Sequence, residues 1–142
     1  MKKVLALLAV LASAVVIGVT PAGAVQYGSP DGNGHPYVGL VVFYNSAGAP
    51  LWRCSGALIS PTVFLTAAHC TEAPAASAKI WFSPGPITLA SGYPFTGNDA
   101  AGTPYPHPGW TGALTIPNTH DVGVVKLSSP YAMGSYGQVA PL

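Results

Sequence analysis

Histidine and carboxylate side chains can take part in proton transfer, and two of those in this sequence lie in distinctive contexts: His69 precedes a cysteine, and Asp121 opens an apolar run. An imidazole can accept the proton of an attacking hydroxyl and return it to the leaving group. A carboxylate bonded to the other ring nitrogen holds the ring in one tautomer and stabilises the imidazolium. Taken singly, such a histidine is usually an ordinary polar side chain and such an aspartate a turn residue, so the surrounding motifs decide.

The other histidines and acidic residues have simpler explanations. No pair of histidines has the short spacing typical of zinc ligands, so a zinc site receives little support. We interpret these side chains as polar or solvated loop residues: His35, His107, His120, Asp31, Glu72 and Asp99.

The N-terminal segment has the three parts of a secretory signal peptide. It begins with two lysines, runs from Val4 to Val19 without a charge, and ends in the small residues Ala22–Ala24. We predict cleavage after Ala24, which makes residues 1–24 the leader and 25–142 the mature domain, secreted through bacterial export. An uncleaved membrane anchor is less favoured, because the apolar run barely reaches spanning length and a cleavage site follows it at once.

Composition excludes several classes of partner. After the leader the only basic residues are Arg53, Lys79 and Lys126. No polybasic patch is available to attract nucleic acid or anionic lipid. We predict no nucleic-acid partner, no membrane contact after leader cleavage, no cofactor and no bound metal.

The chain has two cysteines, Cys54 and Cys70. In the oxidising compartment to which the leader directs the chain, such a pair normally forms a disulfide. Closing a loop of about 15 residues stabilises a small domain by about 3 kcal/mol. A cysteine-based metal site is the competing interpretation, but it needs more soft ligands than one widely spaced pair supplies.

Short apolar and β-branched runs between Gly, Pro and Asn residues predict an all-β domain. One helical turn is predicted at 67–70, and the Gly- and Pro-rich segment 83–104 is predicted to be mostly loop with a weak strand at Ile87–Ala90. Six antiparallel strands are expected to close into a barrel, because an open sheet would expose its edges. The predicted strands are Tyr37–Tyr44, Leu51–Ile59, Thr62–Thr66, Lys79–Phe82, Gly102–His107 and Val122–Leu127.

Two stretches carry a resemblance to a known family. The segment from Cys54 to Cys70 reads CSGALISPTVFLTAAHC, and the segment from His120 to Leu127 reads HDVGVVKL. Both resemble the trypsin-like (chymotrypsin-fold) serine peptidases, whose first barrel carries C-x-G-x-L-(I/V), (S/T)-A-A-H-C and D-(I/V)-(A/G)-(L/V)-(L/V)-(K/R)-L. The pair His107–Pro108 lies where this family often has a His-Pro upstream of the aspartate.

The resemblance implies a serine endopeptidase acting on peptides or proteins. By motif, His69 is the general base and Asp121 the residue that orients it, while the disulfide limits where the His69 ring can move. The implied fold is the first of the family's two barrels, and the absent second barrel is expected to pack against it.

No nucleophile is predicted within the chain, because the usual Gly-Asp-Ser-Gly-Gly stretch does not occur. Ser55, Ser91 and Ser135 lie near glycines, but a strand or a turn explains each. The chain is therefore expected to be an inactive fragment of the peptidase. The resemblance does not extend to activation by N-terminal processing, because Val25–Gly28 differs from the Ile-Val-Gly-Gly sequence that typically follows activation cleavage in this family.

Two alternatives to a fragment of an active peptidase stay open. One is a secreted, non-catalytic single-barrel binding or regulatory protein, a pseudopeptidase, although such a protein would need neither His69 nor Asp121. The other, less favoured, is a metal-dependent hydrolase.

Overall fold

A computed structural model describes residues 31–85, 87–117 and 119–141. The predicted leader and its cleavage site lie outside these residues. In the part of the chain that is described, no helix is both long and apolar enough to cross a membrane.

The described residues form six strands, which confirms the all-β prediction. A short helix, α1 (Ala68–Thr71), follows the third strand at the predicted helical turn. The strands are β1 (Val38–Tyr44), β2 (Pro50–Ser60), β3 (Val63–Thr66), β4 (Ser77–Trp81), β5 (Ala100–Pro106) and β6 (Gly123–Leu127).

The strands close into an antiparallel barrel in the order β1-β2-β3-β6-β5-β4, as predicted. Pairing of β1 with β4 completes the ring, so each strand has a partner on both sides. The barrel interior is filled by fully buried apolar side chains: Val41, Phe43, Leu58, Phe64, Ile80 and Val125.

A second apolar cluster covers the outside of the barrel at β1 and β4. It consists of Val42, Tyr44 and Trp81, with Ile87 and Tyr93 from the loop between β4 and β5 packed against them. Because successive side chains of a strand point to opposite faces, β1 contributes to both clusters. This explains why its sequence is apolar at consecutive positions.

The weak strand expected at Ile87–Ala90 was wrong: the chain forms a 3-10 turn at Leu89–Ser91 instead. The Ser91 hydroxyl donates to the Thr88 carbonyl over 2.7 Å, and the Thr88 N–H donates to the Ser91 hydroxyl. These bonds satisfy the backbone locally. Gly92 then ends the turn with a positive φ of 86°.

Strands β2 and β3 approach closely at Gly56. A Cβ atom built on this residue would collide with the carbonyl oxygen of Leu65 and the ring of Phe64. Only glycine fits there without a shift of the backbone, so Gly56 permits the close approach of β2 and β3.

Candidate active site

Helix α1 presents His69 at one end of the barrel. Ala67 is extended, with φ −90° and ψ 153°, and the chain turns into the helix directly after it. The buried Thr71 hydroxyl donates to the Ala68 carbonyl over 3.1 Å. The helix is only one turn long, so its position depends on what holds it from outside.

Two contacts from β2 hold α1. Cys54 and Cys70 form the predicted disulfide, with their Cα atoms 6.4 Å apart. The indole N–H of Trp52 donates to the Cys70 carbonyl over 2.8 Å. His69 is therefore attached to the barrel wall through the next residue in the chain.

The metal interpretation of the cysteines fails on the same geometry. Ligand atoms of Cys54, His69 and Cys70 lie within 4.8 Å of one another. Cysteine binds metals through its thiolate. Here the two sulfurs are bonded to each other, so neither is available as a metal ligand.

Strand pairing brings Asp121 to the same end of the barrel as His69. Thr66 at the end of β3 is paired with Gly123 at the start of β6. His69 follows Thr66 by three positions and Asp121 precedes Gly123 by two, so antiparallel pairing places both beyond the same barrel rim.

Gly123 lets α1 and β6 pack against each other closely enough for this meeting. A Cβ atom on Gly123 would collide with the Thr71 hydroxyl and lie 2.7 Å from the Ala67 carbonyl oxygen. A side chain at this position would push β6, and Asp121 with it, away from the helix.

The structure brings His69 and Asp121 into direct contact. The ring Nδ1 of His69 lies 2.8 Å from Oδ2 and 3.1 Å from Oδ1 of Asp121. The backbone N–H of His69 also donates to Oδ1 over 2.9 Å. An ionised carboxylate can only accept hydrogen bonds, so Nδ1 carries the proton and the neutral ring keeps its lone pair on Nε2.

Solvent exposure differs across the pair. The His69 side chain is 54% exposed and that of Asp121 only 19%. Within the described residues, no hydrogen bond involves Nε2 of His69. The carboxylate thus holds the ring at Nδ1, and the opposite ring nitrogen, Nε2, is accessible.

The hydrogen bonds to Asp121 also set its ionisation. Desolvation disfavours the charged carboxylate, but bonds from the backbone N–H and the ring of His69 favour it and outweigh that effect. The pKa of Asp121 is therefore held below its ordinary value. The lowered pKa keeps this carboxylate ionised at neutral pH.

The three serines near glycines lie in the contexts expected from the sequence. Ser55 is within β2, paired with Leu40 of β1. Ser91 is in the 3-10 turn, and Ser135 follows the last strand. None of them hydrogen-bonds to His69 in the part of the chain that is described.

Asp31 and Asp99 are exposed loop residues, as interpreted from the sequence, whereas Glu72 is partly buried. Each also accepts a hydrogen bond that the sequence did not indicate. Asp31 pairs with His35 over 2.6 Å, and Asp99 accepts the backbone N–H of Phe82 over 2.7 Å. No sequence signal pointed to Asp99, because its donor is 17 positions away.

Sequence reasoning missed two further contacts around the site. Glu72 accepts the indole N–H of Trp110 over 2.6 Å. His107 and His120 stack with ring centroids 4.9 Å apart and planes within 4° of parallel. Both contacts join residues far apart in the chain, and no short-range pattern encodes them.

The described residues thus form a closed antiparallel barrel with a histidine–aspartate pair at its rim. The family model described as Trypsin matches residues 25–142. The chain therefore belongs to the trypsin family, and its barrel corresponds to the first barrel of that fold.

Solved structures agree on the fold. One is a collagenase, HL collagenase, with 18% identity and a TM-score of 0.52, covering 77% of this chain and 44% of that one. Another is neuropsin, a serine protease expressed in the limbic system of mouse brain, with 20% identity and a TM-score of 0.50, covering 82% of this chain and 48% of that one. The chain thus spans less than half the length of these structures. Among curated proteins no match was found.

Proposed function

We propose that this chain is the first barrel of a secreted serine endopeptidase that hydrolyses peptide bonds through a Ser/His/Asp triad. His69 is the general base and Asp121 orients it. The observation that carries the proposal is the 2.8 Å contact between Nδ1 of His69 and Oδ2 of Asp121, with the ring still half exposed. The nucleophilic serine comes from a second barrel outside this chain.

In the proposed mechanism, Nε2 of His69 takes the proton of the serine hydroxyl as its oxygen attacks the scissile carbonyl carbon. The imidazolium then returns this proton to the leaving amine. Asp121 keeps Nδ1 protonated, so Nε2 is the basic atom, and its negative charge stabilises the imidazolium. Water then attacks the acyl-enzyme, with His69 again accepting a proton and returning it to the serine oxygen, and the carboxylic acid product is released.

Residues 25–142 form the mature part of the domain, and residues 1–24 are a cleaved leader. A disulfide between Cys54 and Cys70 suits an oxidising, extracellular setting. The second barrel packs on this one, and the chain without it has no activity. Support for that packing comes from apolar side chains left open to solvent, since Tyr105 and Val122 are each 50% exposed.

The test begins with the genomic DNA beyond codon 142. The complete reading frame is expressed and treated with a serine-directed phosphonate probe. We expect one downstream serine to be labelled, and labelling to fall by about 10²-fold or more in His69→Ala, because the base that activates the hydroxyl is gone.

His35→Ala is the matched control, because His35 is an exposed histidine that pairs with Asp31 and not with Asp121. The phosphonate probe should label this variant to the same extent as the unmodified protein. Absence of labelling in the unmodified protein, or equal labelling in His69→Ala, would contradict the proposal and favour a non-catalytic binding or regulatory protein.

A further inference from the structure

Glu72 directly follows the helix that carries His69, and its side chain contacts Trp110. The family motifs give this contact no role. The indole Nε1–H of Trp110 donates to Oε2 of Glu72 over 2.6 Å. Both side chains are partly buried. Such a short bond to a charged acceptor is stronger than one between neutral groups.

Glu72 is firmly attached to the helix that carries His69. Its backbone N–H donates to the Ala68 carbonyl over 3.0 Å and closes α1, and its own carbonyl accepts the N–H of Ala75 over 3.0 Å. A displacement of Glu72 would therefore also displace α1.

Trp110 is attached in the same way to the segment that carries Asp121. Its backbone N–H donates to the His107 carbonyl over 2.9 Å, and the His107 N–H donates to the Val122 carbonyl over 2.8 Å. Val122 directly follows Asp121. Trp110 thus connects to the carboxylate through two backbone hydrogen bonds.

Together these contacts link the two parts of the chain at two points. One link is the bond between His69 and Asp121, and the other is the bond between Glu72 and Trp110. α1 also packs against β6 at Gly123. The bond between Glu72 and Trp110 adds a side-chain link on this side that does not pass through the catalytic pair.

We infer that Glu72 and Trp110 are positioning residues that hold Asp121 against the His69 ring; the inference rests on the proposed peptidase function. Neither residue touches substrate or reacting atoms. They act by limiting how far α1 and Asp121 can separate. Small displacements of this kind cost rate, because proton transfer depends on the geometry of the base.

The test uses Trp110→Phe, which removes the indole N–H and keeps an aromatic ring. The full-length protein is labelled with ¹⁵N-histidine, and the ring nitrogen shifts of His69 are recorded. We expect the Nδ1-protonated form in the unmodified protein and a shift toward a mixture of tautomers in Trp110→Phe. In the complete peptidase kcat falls about ten- to hundredfold with KM unchanged.

Trp81→Phe is the matched control. It removes the same indole donor, which in Trp81 donates to the Thr96 carbonyl over 3.3 Å in the cluster outside the barrel. A purely structural role for Trp110 predicts that both variants change only the melting temperature. The positioning role predicts that Trp110→Phe alone moves the His69 shifts.

Glu72 gives an independent variant if Trp110→Phe does not fold. Glu72→Leu removes the acceptor and should reproduce the Trp110→Phe effect, and the double variant should be no worse than either single one. Glu72→Gln keeps a carbonyl acceptor and should recover most of kcat, within about threefold.

Unchanged His69 shifts and kcat in folded Trp110→Phe or Glu72→Leu would overturn the inference. If the unmodified full-length protein has no peptidase activity, the proposed function fails. The ring nitrogen shifts still decide whether the Glu72–Trp110 contact positions the pair.

Discussion

The fold sets both the hydrogen bonds and the solvent exposure of Asp121. It accepts hydrogen bonds from both the backbone and the ring of His69, and only 19% of its side chain is exposed. These bonds depend on the charged carboxylate. The ionisation of one side chain is therefore coupled to the geometry of the site and to the stability of the fold.

Stability should fall in acid because of this coupling. The pKa of Asp121 is lower in the folded chain than in the unfolded one, so the unfolded state binds protons first as the pH falls. The contribution is complete above about pH 5 and is lost as the pH drops below about 4, through the folded pKa. Urea unfolding between pH 3 and 6 measures it.

Asp121→Asn should reduce this pH dependence. Asp31, whose pKa is also lowered by its contact with His35, contributes a second part. The double variant with Asp31→Asn should therefore be flatter still. An identical pH dependence in the unmodified protein and in Asp121→Asn would mean that the carboxylate is not held as described.

Among the elements, α1 depends most on its neighbours. It is one turn long, and its contacts from outside include the disulfide to β2, the indole of Trp52 and the carboxylate bond from Glu72 to Trp110. A helix of four residues has no stability of its own. The position of His69 is thus a property of the elements around the helix.

Removal of the disulfide tests that dependence. Its cysteines are 16 positions apart, and Cys54→Ala with Cys70→Ala should lower the free energy of unfolding by about 3 kcal/mol. Chemical denaturation measures the loss.

Treatment with a chelator should leave the melting temperature unchanged, whereas a chelator-sensitive melting temperature would support a metal at these residues.

The narrow approach of β2 to β3 leads to a second prediction among the elements. Gly56→Val places a branched side chain where a Cβ atom already collides with Leu65, and should destabilise the barrel by about 3 kcal/mol. Gly134→Val is the control, because nothing lies within 4 Å of its Cβ position; a change within about 0.5 kcal/mol is expected. Equal melting temperatures for the two variants would refute the close approach.

At the scale of the whole molecule, the barrel is closed but not fully covered by polar groups. Tyr105 and Val122 line one apolar groove beside β5 and β6 and are each half exposed. Contiguous exposed apolar surface favours association with another surface. In the proposed complete peptidase, the second barrel supplies a covering surface.

Residues 25–142 produced alone should therefore self-associate. Sedimentation at increasing concentration should show dimers or larger species, reduced in Tyr105→Ser with Val122→Ser. Leu89→Ser is the control, since Leu89 is 77% exposed on the 3-10 turn outside this groove. A monomer at all concentrations, or association that persists in the double variant, would argue against this surface as an interface.

Local features of the sequence determined the elements. Apolar runs bounded by Gly, Pro and Asn predicted the six strands, and the residues before Cys70 predicted the helical turn, because strand periodicity and turn chemistry act over a few positions. The Cys54–Cys70 disulfide was also predictable, since only one pair is possible. The motifs around His69 and Asp121 pointed to the family, and the family model agrees.

The tertiary structure decided how distant groups meet. The family motifs implied that Asp121 orients His69, but their 2.8 Å contact across 52 positions exists because β3 pairs with β6. The bond between Glu72 and Trp110 and the stacked rings of His107 and His120 likewise depend on how the barrel closes. Such contacts are set by strand register and chain path, which join residues that no local pattern relates.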